Sequence, residues 1–283
     1  MPQINWYPGH MAKSRRLLQD QLRAVDAVIE LCDARAPQAT RNPDLEKLTQ
    51  NKARILVLNK ADLADDQETA RWADYYRARG ITAMRFNSNG GKTREILRQI
   101  ENATREAVER AAKRGVKKTV RLMVIGIPNV GKSTFINRLY GSAIVKASDR
   151  PGVTRSNQWV KIGPYLELLD TPGMLPPRMD DQEGARLLAY LGSIRDQIMD
   201  TEELAGQLLM HLMNIRPDAA RARFKLAEDI EINDPQIAVE AACRGRGWLI
   251  SGGRPDTDRA SALILDEFRA GKTGKITIEP AKK

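Results

Sequence analysis

The segment Gly126-Ile-Pro-Asn-Val-Gly131-Lys132-Ser133 fits the pattern G-x-x-x-x-G-K-[ST], which suits a chain of phosphates. The backbone N–H groups of Val130, Gly131, Lys132, Ser133 and Thr134 can point at phosphate oxygens from a loop that opens a helix. Lys132 is placed to reach the β- and γ-phosphates, and the Ser133 hydroxyl to ligate Mg²⁺. Downstream, Asp170-Thr171-Pro172-Gly173 follows an apolar run. Asp170 there would hold Mg²⁺ through water, and the Gly173 N–H would sense the γ-phosphate. Between these segments lies Asp149-Arg-Pro-Gly-Val-Thr154, and Thr154 is the candidate switch threonine that closes over Mg²⁺. Either Pro-Gly segment alone would read as a turn. Ordered behind a phosphate loop, both read as parts of a hydrolytic site.

Base choice would come from Asn59-Lys60-Ala61-Asp62. The Asp62 carboxylate can accept from guanine N1–H and the exocyclic amine together, an arrangement adenine lacks. Asn59 can meet the ring edge, and the aliphatic stem of Lys60 can lie over the ring face. The tetrapeptide alone could be an ordinary loop, but beside a phosphate loop it specifies GTP, with GDP as product. Asn87-Ser88-Asn89 stands where a further loop would back the base, with Asn87 and Ser88 as its contacts.

Loops of this kind need strands to aim them. Short apolar runs at Val25–Leu31, Arg54–Leu58, Ile81–Phe86 and Val120–Gly126 each end at one of the motif positions. Helical patterns separate them at Pro43–Gln50, Asp66–Arg79 and Lys92–Arg114, and a helix starts at Lys132. Strands alternating with helices predict right-handed crossovers and a parallel, doubly wound α/β sheet. Gln158–Ile162 and Tyr165–Leu169 read as a hairpin leading into Asp170. Beyond Pro176-Pro177 the pattern turns helical, at Asp181–Met199, Thr201–Met213, Pro217–Leu226, Pro235–Cys243 and Asp258–Ala270, with a short strand at Lys275–Ile278. The expected division is a nucleotide-binding domain over 1–175, with a basic N-terminal segment 1–23, and a smaller, mainly helical domain over 176–283.

The order of the motifs is unusual: guanine motif first, phosphate motifs second. In an open doubly wound sheet the ligand loops share the carboxyl edge of the strands, so the chain can be circularly permuted without moving the site. The helix at Lys92–Arg114 and the basic linker 115–119 would join what are ordinarily the chain ends. The switch region would then run directly into the C-terminal domain.

The net charge of +10 is unevenly spread. Residues 1–174 carry 30 Lys+Arg against 18 Asp+Glu, whereas residues 175–283 carry 16 against 18. A basic excess favours a polyanion, nucleic acid before membrane, although a soluble basic protein with no such partner gives the same total. Basic clusters occur at Lys13/Arg15/Arg16/Arg23, along Arg110–Arg121, and at Arg244/Arg246/Arg254 with Lys272/Lys275/Lys282/Lys283. Trp6, Tyr7 and Trp248 are candidates for stacking on unpaired bases. Residues 178–240 are acidic, so RNA contact is expected in the segments flanking them. No apolar run is long enough to span a bilayer, and the N-terminus lacks a signal-peptide core. Cys32 and Cys243, far apart and without metal-ligand spacing, read as buried thiols of a reducing compartment.

With Trp6-Tyr7-Pro8-Gly9-His10-Met11, Asp33-Ala34-Arg35-Ala36-Pro37, Arg41-Asn42-Pro43, the permuted motifs and Phe268-Arg269-Ala270-Gly271-Lys272, the chain resembles the bacterial ribosome biogenesis GTPase A family over essentially its whole length. The resemblance implies a circularly permuted GTPase fold with a C-terminal helical domain that touches rRNA. It also implies a cytoplasmic role, rather than one in the mitochondrial matrix, in late assembly of the large ribosomal subunit. The partners would be the subunit precursor, its rRNA and ribosomal proteins, with no membrane or DNA partner, and the particle would stimulate hydrolysis. Where many GTPases carry a water-orienting glutamine, this chain has Met174. His10, one of 2 histidines and part of the N-terminal signature, is the candidate replacement, while His211 reads as a packing residue. In the K⁺-activated GTPases that the family resembles, an asparagine at the position of Asn129 helps bind K⁺, whose charge acts where an arginine finger otherwise would. Two other readings stay open: a GTP-gated RNA-binding scaffold with negligible turnover, and a GTPase assisting tRNA modification.

Overall fold

The computed structural model describes residues 8–42, 44–49, 51–143, 158–162, 165–170, 182–194 and 200–281. Its centre is a 6-stranded sheet in the order β3-β2-β1-β4-β6-β5. The strands are β1 (Ala27–Asp33), β2 (Ala53–Asn59), β3 (Thr82–Arg85), β4 (Val120–Ile125), β5 (Gln158–Lys161) and β6 (Leu166–Asp170). All neighbours run parallel except the edge strand β5, which pairs antiparallel with β6 as the expected hairpin. β1 is buried at every residue, as a central parallel strand covered on both faces must be. From β1 the chain moves outward to β2 and β3, then returns to place β4 on the other side of β1. The direction of winding therefore reverses beside β1, and a crevice opens there at the strand ends.

Alternate residues of β2 serve opposite faces. Leu56 and Leu58 pack with Trp72 and Tyr76 of α3 (Asp66–Arg77), while Ile55 and Val57 join the larger core with α4 (Thr93–Ala112) and α5 (Lys132–Ala143). Asp65 caps α3, its carboxylate accepting from the N–H groups of Gln67 and Glu68. α4 crosses the face of the sheet, touching β1, β2 and α5, and carries the chain from edge strand β3 to β4. This is the connection the permuted order requires.

The helices α6 (Gln182–Tyr190), α7 (Thr201–Ile215), α8 (Pro217–Phe224), α9 (Pro235–Arg246) and α10 (Thr257–Arg269) build a second core around Leu208, Leu212, Phe224 and Phe268. Ala36, from the loop after β1, belongs to this second core. Glu267 anchors two helices to α10, accepting from Arg223 at 2.6 and 2.8 Å and from Arg246 at 3.4 Å. Among the described residues no helix is long and apolar enough to cross a membrane.

Several local expectations are corrected. The opening basic segment, to which the sequence assigns no element, forms a helix, α1 (Pro8–Arg23), whose Leu18 and Leu22 are buried in the main core at helical spacing. The helix expected over Asp181–Met199 stops at Tyr190. There Gly192 adopts a left-handed conformation and the N–H groups of Gly192 and Ser193 close back on Ala189 and Leu188. Lys275–Ile278 is not a strand, because its donors go to separate loops: Ile276 to Leu63 O and Ile278 to Arg35 O. Trp248 is buried against the helical core with Arg246 over its ring, so it offers no free face for a base. Cys32 and Cys243 are buried free thiols, as expected.

Candidate functional site

The carboxyl ends of β1, β2 and β4 lie side by side. Register pairs Asp33 with Asn59, and Glu30 with Ile125, so the loop after β2 and the loop before α5 meet in front of β1. Asn59 fastens them together. Its Nδ2 donates to Val130 O at 2.8 Å, while its Oδ1 accepts from Ser88 Oγ at 2.6 Å and Ser88 N at 3.2 Å. The side chain is 1% exposed, and protein groups occupy both ends of its carboxamide. The contact follows the pattern of the sequence motif, but its first role is to join three loops. Gly131 makes the approach possible: with φ +94°, a Cβ there would lie 2.6 Å from Asn59 Nδ2.

Lys60 adds a second tie. Its ammonium donates to Asn129 O at 2.6 Å and pairs with Asp33 Oδ2 at 3.0 Å. Asp33 is buried and also receives Arg35, with Nε at 3.0 Å from Oδ1 and an NH group at 2.8 Å from Oδ2. Burial alone would raise the Asp33 pKa. The adjacent Arg35 and Lys60 charges reverse that and hold the carboxyl well below the usual carboxylate range. Lys132, at the start of α5, donates to Gly126 O at 2.8 Å and Ile127 O at 3.1 Å, so its ammonium lies within the loop it follows. Ser133 and Thr134 are exposed in the first helical turn. The Asn129 side-chain nitrogen donates to Gly192 O, in the turn after α6.

These loops enclose a cleft of about 400 Å³. Asn59, Lys60, Asp62, Asn87, Ser88 and Asn89 line one side, Gly131 and Thr134 another. Asp62 Oδ1 is buried without a hydrogen-bond partner among the described residues. A carboxylate oxygen so placed is an acceptor suited to a donor entering the cleft. Asn87 holds its own loop, accepting at Oδ1 from Asn89 N at 2.8 Å and Gly90 N at 3.2 Å.

Asp170 ends β6, the neighbour of β4, on the same sheet edge as Ser133; its side chain is outside the described residues. His10 lies on α1, and its side chain is likewise not described. Thr154, Gly173, Met174, Trp6 and Tyr7 lie outside the described residues. His211 packs near Tyr190, and its Nε2 lies 2.9 Å from Ile278 O.

In the sequence both Asp33-Ala34-Arg35 and Phe268-Arg269-Ala270-Gly271-Lys272 stand only as signatures, and neither announces a place at the cleft, whose wall Arg269 and Ala270 complete. A signal of burial existed in the first case. Asp33 ends an apolar strand, and a carboxylate there with Arg two residues later invites a buried pair.

Residues 121–240 match the family model described as a 50S ribosome-binding GTPase. The chain is 42% identical to ribosome biogenesis GTPase A of Priestia megaterium, over 98% of this chain and 96% of the relative. It is 31% identical to the Thermotoga maritima protein of the same name, over 98% and 94%. A bovine mitochondrial ribosome-associated GTPase 1 is 33% identical over 97% of this chain and 88% of its own length. Among solved structures, GDP-bound YlqF superimposes with a TM-score of 0.68 at 26% identity, covering 95% of this chain and 100% of that one. GNP-bound YlqF from T. maritima gives 0.68 and 26%, covering 96% and 99%. With a P-loop and a guanine-type motif joined at one cleft of a permuted sheet, and with relatives this similar over nearly its whole length, the chain belongs to the ribosome biogenesis GTPase A family and is a GTP-hydrolysing enzyme.

Proposed function

We propose that the chain binds the large ribosomal subunit precursor in its GTP form and uses hydrolysis to time a late assembly step and its own release. The observation that carries the nucleotide half is the unpartnered Asp62 oxygen in a cleft joined through Asn59 to the phosphate loop. Asp62 accepts from guanine N1–H and the exocyclic amine, the Lys60 stem covers the ring, and Asn87 and Ser88 back it. Val130, Gly131, Ser133 and Thr134 offer backbone N–H groups to the phosphates, and Lys132 turns from Gly126 O and Ile127 O toward the β- and γ-oxygens.

The exposed Ser133 hydroxyl and the position of Asp170 one strand away suit a hard cation with oxygen ligands. They would hold Mg²⁺ with Thr154; when bound, the ion neutralises charge on the β- and γ-phosphates. The Asn129 amide oxygen is the atom a K⁺ ion would use, its nitrogen being taken by Gly192 O. Gly173 reports the γ-phosphate to the helical domain, and His10 orients the attacking water in place of a glutamine. rRNA and ribosomal proteins form the binding surface for the particle, in the cytoplasm. Support for the particle comes from the relatives, named for ribosome biogenesis and ribosome association.

The test is co-sedimentation with purified large-subunit particles, with tRNA as control, together with single-turnover hydrolysis. The non-hydrolysable GTP analogue is expected to drive the chain onto the particle and GDP to release it. Particles are expected to accelerate hydrolysis, and His10→Ala to lower that rate by roughly 10²-fold or more with GTP affinity nearly intact. Binding indifferent to the nucleotide would overturn the timing role, and an unchanged rate would remove His10.

A further inference from the structure

The cleft assigned to the base has a wall that the guanine motif does not supply. Arg269 and Ala270, where α10 ends, line it together with Asp62 and Asn87. The turn they belong to is pressed against the guanine loop. A Cβ on Gly271 would lie 2.5 Å from Leu63 Cδ2, and beyond it Ile276 N donates to Leu63 O at 3.0 Å. Thr277 Oγ1 then accepts from Asp65 N at 3.1 Å. The loop that carries Asp62 is therefore held from outside by the C-terminal segment as well as from inside by Asn59.

Arg35 joins the two sides. One part of its guanidinium grips Asp33, the carboxylate that also holds Lys60. The other part donates to Phe268 O and Arg269 O, each at 3.2 Å, capping the carbonyls at the end of α10. The Arg269 guanidinium continues outward, donating to Ala189 O at 2.8 Å and Tyr190 O at 3.1 Å at the end of α6. Two residues further, Gly192 O accepts from Asn129 of the phosphate loop, whose carbonyl accepts from Lys60. The polar contacts thus form a closed ring around the cleft: Lys60, Asp33, Arg35, the α10 turn, the α6 end, Asn129 and Lys60 again.

We infer that the turn Phe268–Gly271 is part of the guanine site, and that Arg35 is a positioning residue coupling occupancy of the base cleft to docking of the C-terminal helices. The inference rests on the reading of Asp62 as the base acceptor. A guanine ring seated between Asp62 and the Arg269–Ala270 wall binds the docked arrangement better than an undocked one. By linkage, docking raises guanine nucleotide affinity and guanine nucleotide tightens docking by the same factor. An arginine that only filled a core would stabilise the fold without making it respond to nucleotide. Asp33 stays ionised far below neutrality, held so by Arg35 and Lys60.

The experiment measures hydrogen–deuterium exchange of the full chain at residues 268–278, with and without GDP and with ADP as control, alongside GDP affinity. GDP but not ADP is expected to slow exchange there in the natural chain. Arg35→Gln is expected to weaken GDP binding roughly 5- to 150-fold and abolish the GDP-dependent protection, with Arg35→Lys restoring part of both. Gly271→Ala, which strains the left-handed conformation of the same turn (φ +74°) and crowds Leu63 without touching Asp33, is expected to give the same loss and serves should Arg35→Gln not fold. Protection at 268–278 that ignores GDP, or GDP affinity unchanged in the folded variants, would overturn the coupling and leave Asp62 as base acceptor. A natural chain with no preference for GDP over ADP would overturn the base reading and the coupling with it.

Discussion

Asp62→Asn is expected to weaken GTP and GDP binding by roughly two to four orders of magnitude and to raise affinity for xanthine nucleotides. Guanine offers two donors, N1–H and the exocyclic amine, to one carboxylate. Each charge-assisted bond contributes about 1.5–3 kcal/mol, and each 1.4 kcal/mol is about tenfold in affinity. A carboxamide keeps one acceptor but turns the other oxygen into a donor, which faces the exocyclic amine of guanine unfavourably. Xanthine carries a carbonyl at that position, so the same donor becomes an attraction. Little else should change, because Asp62 Oδ1 makes no hydrogen bond within the described residues. The melting temperature of the nucleotide-free variant should stay near that of the natural chain, since the one buried oxygen of this half-buried side chain has no hydrogen bond to lose. Titration with GDP and with the corresponding xanthine nucleotide measures the exchange of preference. Unaltered GDP affinity would place the base elsewhere.

The phosphate and guanine motifs were legible because their chemistry needs a fixed local context, an apolar strand followed by a loop that opens toward a ligand. That context can be read from neighbouring residues, as at Leu122–Ser133 and Ile55–Asp62. The sheet was legible for the same reason, since strictly alternating strands and helices allow few topologies. What escaped depends on pairs far apart in the chain. Nothing around Arg35 announces that its guanidinium caps carbonyls at Phe268 and Arg269, and nothing around Leu63 announces a partner at Ile276. α1 escaped because its polar, basic residues obscured the buried pair Leu18 and Leu22. Lys275–Ile278 has a strand's composition, but its hydrogen bonds go to two loops instead of a neighbouring strand. Trp248 shows the limit of residue type as evidence: an aromatic flanked by arginines suits RNA, yet the same pairing with Arg246 occurs here around a buried ring.

The motif places Asn59 at the edge of the base, and the structure shows its side chain bracing three loops as well, through one Nδ2 N–H and through Oδ1. Replacing it with alanine removes the donor to Val130 O and the acceptor for Ser88 N and Oγ. Leaving Val130 O and Ser88 N–H buried without partners costs about 1–3 kcal/mol for each group. A loss of about 3 kcal/mol or more follows, which for a chain of this size lowers the melting temperature by roughly 10 °C. The phosphate loop and the guanine loop would then move independently, so GDP affinity is expected to fall by about tenfold or more through lost pre-organisation. The preference for guanine over xanthine should persist, because Asp62 is untouched. Asn59→Ala therefore separates bracing from reading, and Asp62→Asn gives the opposite pattern: a changed preference on an intact scaffold. Calorimetric melting of the nucleotide-free chain with parallel GDP and xanthine nucleotide titrations distinguishes them. An unchanged melting temperature with a lost guanine preference would leave Asn59 with the base edge alone, because a side chain that braces three loops cannot be removed without loosening them.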